Sequence, residues 1–287
     1  MGVLLRFLFS LIGIILISGF PILIGGLMEG KLKISEYIAS LQLVLNEVWP
    51  LQEFSVLNMR TQREIFLFPT IAEYIGYSLQ ILFLAFAAAA VFALLFTVLT
   101  MLLSEKARER VKITLYFLES IPDLLIIMAA QLGIIFIYLK TDVLISKIAV
   151  VGGDRIYWLP ILCLSILPMI QLYRLCMLTF QEEERQLYVE LARSLGFSKV
   201  FIIWVHMFRN AIISVFFQSK KTIWFMLSNL FVLELMFNMP GIMLFMRDNI
   251  SPEVFLVTIF SFFLPMFILY SLGEWFFLRH FRGKEVV

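Results

Sequence analysis

The residues best placed to do chemistry in this chain form one short polar stretch between two long apolar runs. Residues 190–196 read Glu-Leu-Ala-Arg-Ser-Leu-Gly. The spacing of apolar and charged residues predicts an amphipathic helix from Glu182 to Leu195. Such a helix binds rather than makes bonds, so we expect contact with a soluble protein here. On this helix Leu187, Leu191 and Leu195 share a stripe with Tyr188 and Ala192, while Glu183, Glu184, Glu190 and Arg193 face elsewhere.

Gly196, at the end of this stretch, and Ser198, just after it, predict a sharp reversal of the chain. Gly196 stands where the end of a helix favours a left-handed residue. Ser198 can cap a second helix that runs on through Trp204, His206 and Arg209. The sequence therefore predicts a helix, a tight turn and another helix.

Catalytic and metal chemistry find little support. No carboxylate pair or nucleophile and histidine set has convincing spacing. Cys163 and Cys176 lie thirteen residues apart in one apolar segment, about 20 Å if helical, which is too far for a disulfide. The histidines are His206 and His280, and no G-x-x-x-x-G-K-[ST] phosphate loop occurs. We predict no catalytic residue, no metal site and no cofactor bound by this chain.

Composition places these residues in a membrane protein. Hydrophobic residues make up 61% of the 287 residues, charged residues 15%, and the mean hydropathy is +0.95. The net charge of +2 is too small to indicate nucleic-acid binding. We predict an all-α polytopic fold with six transmembrane helices and the amphipathic helix between the fourth and fifth. The predicted spans are 3–24, 75–103, 113–139, 156–178, 223–237 and 254–278.

The distribution of basic residues predicts the topology. With both termini in the cytoplasm, 15 of the 23 Lys and Arg residues lie inside, as the positive-inside rule favours. The first apolar stretch is too long for a signal peptide and lacks a cleavage site, so it is expected to be retained. We divide the chain into a first transmembrane helix (1–25), an extracellular segment (26–72) and a core (73–287) with a binding loop at about 180–210.

Several residues have open interpretations. Ile34, Ile38, Leu41, Leu45 and Val48 recur at helical spacing, which predicts either a helix on the outer surface or a packed cap over the spans. Glu234 is ionisable at membrane depth, so it either lines a pathway or binds the turn that follows. Glu119 and Asp123 are expected to be solvated charges at helix ends. His206 is expected to be a packing residue. Helix kinks are expected at Pro122, Pro160, Pro168 and Pro265.

Four motifs then resemble one family. Glu190-x-Ala192-x-x-x-Gly196 resembles the coupling loop of ABC importer permeases. The following W-x-H-x-x-R-N-A pattern and a later E-x-x-F-x-x-P-G pattern resemble the dipeptide, oligopeptide and nickel branch of that family. Pro160, Pro168 and Arg174 resemble its fourth span, and Ser120-Ile121-Pro122 the start of its third. The residues that carry the two longer patterns are Trp204, His206, Arg209, Asn210 and Ala211, and Glu234, Phe237, Pro240 and Gly241.

The chain also departs from the family pattern. Leu191 replaces the usual alanine, and Met243 replaces a frequent glycine. Lys220 and Lys221 stand where the family is normally apolar or rich in glycine. Recognition of the solute is therefore the property that the resemblance transfers least.

The resemblance implies a permease subunit of an ATP-driven importer in the bacterial inner membrane. Tyr188, Glu190, Leu191, Ala192, Arg193 and Gly196 would contact a separate ATPase subunit, which would bind ATP and Mg. A second permease subunit, expected to be a heterodimer partner with an identical subunit as the alternative, and an extracellular solute-binding protein would complete the assembly. Small peptides are the expected solute and nickel or metallophore complexes the alternative. A secondary transporter that uses Glu234 and Glu274 is the competing class.

Overall fold

The computed structural model describes residues 3–47, 55–58, 63–151 and 154–281. Apart from one hairpin of two four-residue strands, the regular structure of these residues is helical, which confirms the all-α polytopic class. The elements are α1 (Val3–Ser18), α2 (Phe20–Met28), α3 (Ile34–Glu47), β1 (Ser55–Asn58), β2 (Arg63–Phe66), α4 (Leu67–Leu102), α5 (Glu105–Leu118), α6 (Asp123–Thr141), α7 (Trp158–Glu184), α8 (Leu187–Ser194), α9 (Lys199–Phe201), a π-helical segment (Ile202–Met207), α10 (Phe208–Met236), α11 (Ile242–Asp248) and α12 (Pro252–Phe281).

Among these residues, five helical stretches are long and apolar enough to cross a bilayer, and a sixth forms if a bent pair counts as one span. The five comprise α1 with α2, α4, α6, α7 and α12. The pair is 199–207 with 211–236, bent by 64°. The number six predicted from the sequence therefore depends on this bent span.

The predicted third span, 113–139, is wrong at its start. Helix α5 ends at Leu118 and α6 begins only at Asp123. Pro122 has an extended backbone with ψ 139° and immediately precedes α6. A proline lacks an amide donor and pushes the residue before it out of the helical region. Helix α5 therefore does not continue into α6. The fifth predicted span, 223–237, likewise begins too late, since α10 starts at Phe208 and places Lys220 and Lys221 inside the helix.

The proline kinks predicted in the fourth and sixth spans do not interrupt those helices. Pro160 lies in the first turn of α7, where an amide donor is not needed. Pro168 and Pro265 lie inside α7 and α12, which continue past them.

The described residues form two compact units. We call residues 1–79 and 240–287 the terminal unit and residues 80–239 the central unit. In the terminal unit α1 packs along α12. The Phe7 ring contacts those of Phe263 and Phe267, and Arg6 forms an ion pair with Glu274 at 3.0 Å. The start of α11 is held in the same unit, since the Ile242 amide donates to the Ser78 hydroxyl at 2.8 Å.

Helix α3 is the helix predicted in the outer segment, and it packs on α1, α2 and α12. Its inner face includes Tyr37 and Val44, whereas Ile34 and Ile38 are exposed. The Tyr37 hydroxyl donates to the Leu16 carbonyl at 2.8 Å. These contacts favour the packed cap over a helix lying free on the surface. Val48 lies outside the described residues, as does the side chain of Leu45.

The first turn of α3 carries a small charge cluster. Lys33 lies 2.9 Å from Glu29 and 3.6 Å from Glu36. The hydrogen bond and charge of Glu29, followed by the charge of Glu36, raise the pKa of the Lys33 ammonium. Glu36 also places a negative charge at the N-terminal end of the helix, where the helix dipole favours it.

The core of the central unit is built where α4, α7, α8 and the π-helical segment meet. Ala89 and Ala93 of α4 are fully buried in the same cluster as Tyr173 and Phe180 of α7. Val189 and Ala192 of α8 belong to this cluster too. The predicted binding segment is therefore attached to the buried core of this unit.

The end of α10 is pinned by polar contacts within the central unit. The Gln131 amide of α6 donates to the carbonyls of Ile148 and Met236, at 2.9 and 3.1 Å. Val150 donates its amide to the Phe237 carbonyl at 2.8 Å and accepts the Asn238 side chain at 2.9 Å. Asn238 has a positive φ of 48°, a conformation that asparagine tolerates better than most residues. These bonds satisfy backbone groups that a helix end leaves unpaired.

Candidate functional site

The predicted binding segment is a separate short helix rather than the continuation of a long one. The sequence predicted one helix from Glu182 to Leu195, but α7 ends at Glu184 and α8 begins at Leu187. Gln186 is extended, with φ −76° and ψ 145°. Its amide and that of Arg185 bond back to Glu183 and Glu182, which closes the last turn of α7. The prediction of a single helix is therefore wrong.

The faces of α8 also differ from the predicted stripe. Val189 and Ala192 are buried, with 0% and 4% exposure. The three leucines, which we call the leucine face, are instead exposed: Leu187 by 81%, Leu191 by 61% and Leu195 by 66%. The leucines therefore do not share a stripe with Ala192, because the helix buries its smaller apolar residues and presents the larger ones outwards. Glu190 is also exposed.

The turn after α8 has the predicted geometry. Gly196 has a φ of +82°, its amide donates to the Arg193 carbonyl, and the Phe197 amide donates to the Ala192 carbonyl. This pair of bonds is the Schellman motif, which needs a left-handed residue at the glycine position. A Cβ at Gly196 would meet no atom within 4 Å, so the requirement is conformational rather than steric.

The predicted cap of the next helix is also present. The Phe201 amide donates to the Ser198 hydroxyl at 3.3 Å. Three helical residues follow, and the chain then continues as the π-helical segment into α10. The π-helical segment could not be predicted from the sequence, because its i to i+5 bonding leaves no distinct residue pattern.

One carboxylate ties α8 to three other helices. Glu184 of α7 accepts from Arg108 of α5 at 2.7 Å and from Arg193 of α8 at 2.8 Å. Arg108 is 7% exposed and also donates to the Met101 carbonyl at the end of α4, at 3.1 Å. We call Arg108, Glu184 and Arg193 the Glu184 anchor. Sequence reasoning missed Arg108 and placed Glu184 only among the charged residues, because the partners are 76 residues apart.

Aromatic rings fill the angle between α8 and the π-helical segment. The centroid of the His206 ring lies 6.4 Å from that of Tyr188, 6.3 Å from that of Phe197 and 5.8 Å from that of Phe201. The Tyr188 hydroxyl also bonds to the Glu183 carboxylate. His206 is half-buried among these rings, which agrees with its predicted packing role. The stack fixes α8 against the segment that leads to α10.

The other predicted family residues are dispersed along the central unit. Arg174 of α7 is exposed and pairs with Glu119 at 3.0 Å. Arg209 is exposed at the start of α10, Ala211 is fully buried, and the side chain of Asn210 lies outside the description. Pro160 and Pro168 are buried in α7. None of these six residues belongs to the Glu184 anchor.

Asp123 differs from its prediction as a solvated helix-end charge. It is half-buried and its carboxylate accepts a hydrogen bond from the Asn229 side chain of α10. Both residues line a cleft shared with Cys163, Leu164 and Pro168. The Asp123 carboxylate is therefore held inside the helical bundle.

The last predicted motif lies at the end of α10. Glu234 and Phe237 are both fully buried, and the Glu234 carbonyl accepts the Met239 amide at 2.9 Å. Pro240 is half-buried and Gly241, which is buried, precedes α11. The backbone of Glu234 thus takes part in closing the turn.

Comparison with known proteins agrees with this organisation. The family model described as "Binding-protein-dependent transport system inner membrane component" matches residues 101–279, which is well over half of the chain. The match includes the Glu184 anchor, α8 and α10. No curated protein matches the chain. The chain belongs to the family of binding-protein-dependent transport inner membrane components.

Proposed function

We propose that this chain is the permease subunit of an ATP-driven importer and forms part of the solute pathway. The observation that carries the proposal is the leucine face, which leaves three large apolar side chains exposed on a helix whose other face is anchored in the core. Exposed apolar groups of this kind mark protein interaction sites. The family match supports the same conclusion.

The partner of the leucine face is proposed to be a cytoplasmic ATPase subunit. Because this chain has no phosphate loop, ATP and Mg would be bound by that partner. Glu190 and the leucine face would enter a groove of the ATPase, while the buried side of α8 holds the helix to its own chain. Closure of two ATPase subunits on ATP would then bias the permease between inward-open and outward-open states.

The Glu184 anchor is proposed to carry this displacement into the membrane. Its side chains connect α8 to α5 and α7, and Arg108 continues the connection to the end of α4. Arg108 is buried and holds two partners, so it resists sliding of α8 against these helices. Movement of α8 is then shared with the helices of the central unit.

The remaining parts of the proposed assembly follow from the family resemblance. A second permease, in a heterodimer, would complete the pathway, and an extracellular binding protein would deliver the solute. The chain would span the bacterial inner membrane with both termini in the cytoplasm. Small peptides are the proposed solute and nickel or metallophore complexes the alternative. Glu234, Phe237, Pro240 and Gly241 are proposed to position the outer end of α10 as part of a gate.

Purification of the tagged chain from its native membrane tests the proposal. We expect a nucleotide-binding subunit to copurify and to hydrolyse ATP. Leu191→Glu or Glu190→Lys should remove that subunit from the eluate, because each changes the exposed side of α8. Leu191→Met keeps the side chain apolar and should retain the subunit. Recovery of the wild-type chain without any ATPase would instead favour a secondary transporter.

A further inference from the structure

Helix α10 has an apolar buried face and an exposed side on which polar residues run beside the exposed apolar residues Phe217, Trp224 and Phe231. Val215, Met226 and Leu230 are buried, and α10 packs mainly along α7. The opposite face carries four exposed polar residues at spacings of four, three and seven, which places them on one side of the helix. We call them the polar stripe of α10: Ser214, Gln218, Lys221 and Ser228.

The depth of Lys221 makes this stripe unusual. The longer helix of the bent pair, a candidate span, runs from residue 211 to residue 236. At 1.5 Å per residue Lys221 lies about 15 Å from the first end and about 22 Å from the second. Because the helix is about 37 Å long and a hydrocarbon core is about 30 Å thick, Lys221 of a helix that spans this core lies about 8–15 Å inside it, which is more than its side chain can extend to the interface. Lys221 therefore lies at a depth where lipid is a poor environment.

Among the described residues, no carboxylate neutralises the Lys221 charge. Lys221 is exposed and forms no ion pair with a residue in the part of the chain that the structure describes. Insertion of a lysine near the centre of a transmembrane helix costs about 2.5–3.5 kcal/mol, and such residues face water-filled cavities or partners.

We propose that the polar stripe of α10 lines the aqueous solute pathway and that Lys221 binds an anionic group of the solute, a carboxylate or a phosphate. This inference rests on the proposed transport function and assigns the charge class of what is transported. The hydroxyl and amide groups of Ser214, Gln218 and Ser228 offer further hydrogen bonds along the same face. Together they form a polar track beside a fixed positive charge.

The Asp123 carboxylate, which lies at the contact between α6 and α10, does not neutralise the Lys221 ammonium. Asp123 accepts its hydrogen bond from Asn229, which lies eight residues after Lys221. Eight residues correspond to about 12 Å along the axis and about 80° around it. Asp123 also lines the cleft with Cys163 and Pro168 of α7, which packs against the other face of α10. The carboxylate therefore belongs to the bundle interior and Lys221 to the stripe.

Accessibility of single cysteines tests the proposal. In a background in which Cys163 and Cys176 are alanine, Gln218→Cys lies one turn from Lys221. The protein is labelled in membrane fragments open to both sides with anionic sulfonatoethyl or cationic trimethylammonioethyl methanethiosulfonate. The cysteine thiolate attacks the reagent, a mixed disulfide forms and methanesulfinate leaves. The labelling rate with the anionic reagent is divided by the rate with the cationic reagent, and this ratio is divided by the same ratio for a free thiol. The result reports the electrostatic potential at the cysteine.

We expect Gln218→Cys to react readily and to favour the anionic reagent. A unit charge about 6 Å away in a water-like medium changes each rate by about threefold, so the ratio should shift by about tenfold. Lys221→Gln should remove most of this preference, Lys221→Glu should reverse it, and Lys221→Arg should keep it. Buried Met226→Cys on the opposite face should not react.

Two results would overturn the proposal. Absence of reaction at Gln218→Cys and Lys221→Cys would mean that lipid or another protein covers the stripe. Equal reaction with both reagents, unchanged by Lys221→Glu, would mean that the pathway has no anion preference. Labelling does not depend on the ATPase, so purification without an ATPase would contradict the importer function separately.

Discussion

Arg108 of α5 donates to the Glu184 carboxylate of α7 over 2.7 Å, and this ion pair is the more buried of the two that Glu184 forms. The Arg108 side chain is 9% exposed and that of Glu184 is 20% exposed. The second partner of Glu184, Arg193, is 50% exposed. The two ion pairs of one carboxylate should therefore contribute unequally to stability.

Arg108→Ala should be clearly more destabilising than Arg193→Ala. It leaves Glu184 without its buried partner, and loss of one member of a buried ion pair costs about 3–5 kcal/mol. Arg193→Ala should cost at most about 1 kcal/mol, because its ion pair is exposed to solvent. The thermal midpoint of the detergent-solubilised protein measures both effects. Arg110→Ala, an exposed residue on the same helix, should leave the midpoint unchanged.

Replacement of Gly196 should test the turn after α8. An L-residue in the left-handed region costs about 1–2 kcal/mol, so Gly196→Ala should lower stability by that amount and weaken ATPase stimulation. Gly196→Asn should cost less, because asparagine tolerates this conformation. Gly133→Ala in α6, where a Cβ also meets no atom within 4 Å, should not destabilise. Equal stability of the Gly196→Ala protein and the wild type would contradict a left-handed turn.

Gln131→Leu should loosen the end of α10. The substitution removes both hydrogen bonds of the Gln131 amide, and loss of each bond in this partly buried site costs about 0.5–1.5 kcal/mol. We expect faster hydrogen exchange at residues 236–238 and a lower thermal midpoint. Leu132→Ala, one residue further and 61% exposed, serves as the matched control and should change neither quantity appreciably.

Gly19→Ala should displace α3 from the terminal unit. A Cβ there would lie 2.6 Å from two ring carbons of Tyr37, whose hydroxyl is bonded to Leu16. Overpacking of this kind costs about 1–3 kcal/mol. Gly13→Ala, where a Cβ meets nothing, should instead stabilise α1 by roughly 0.5–1 kcal/mol. Protease cleavage within α3 measures the difference, and equal cleavage of the two variants would refute the contact.

Local backbone conformation was predictable from the sequence where a single residue determines it. The left-handed Gly196 and the Ser198 cap both follow from short-range backbone requirements, and the structure contains both. The side of α8 that becomes buried was not predictable, because Val189 and Ala192 are chosen by the space left in the central unit. Amphipathic spacing gives two faces but does not say which one the core will accept.

Contacts between segments that are far apart in the chain could not be predicted from the sequence either. Gln131 and Met236 are 105 residues apart, and a glutamine in an apolar helix is equally compatible with many partners. The break before Asp123 could have been expected from Pro122, but continuous hydrophobicity across 113–139 concealed it. Lys220 and Lys221 appeared to end the fifth span because charge usually marks a boundary, whereas α10 contains them.

The leucine face has a consequence for how the protein is made. If the chain is synthesised in excess of the proposed ATPase subunit, Leu187, Leu191 and Leu195 remain exposed. Chaperones and quality-control proteases recognise such apolar side chains, and the same surface favours aggregation. We therefore expect the orphan subunit to have a short lifetime in the cell and balanced synthesis of both subunits to restore its abundance.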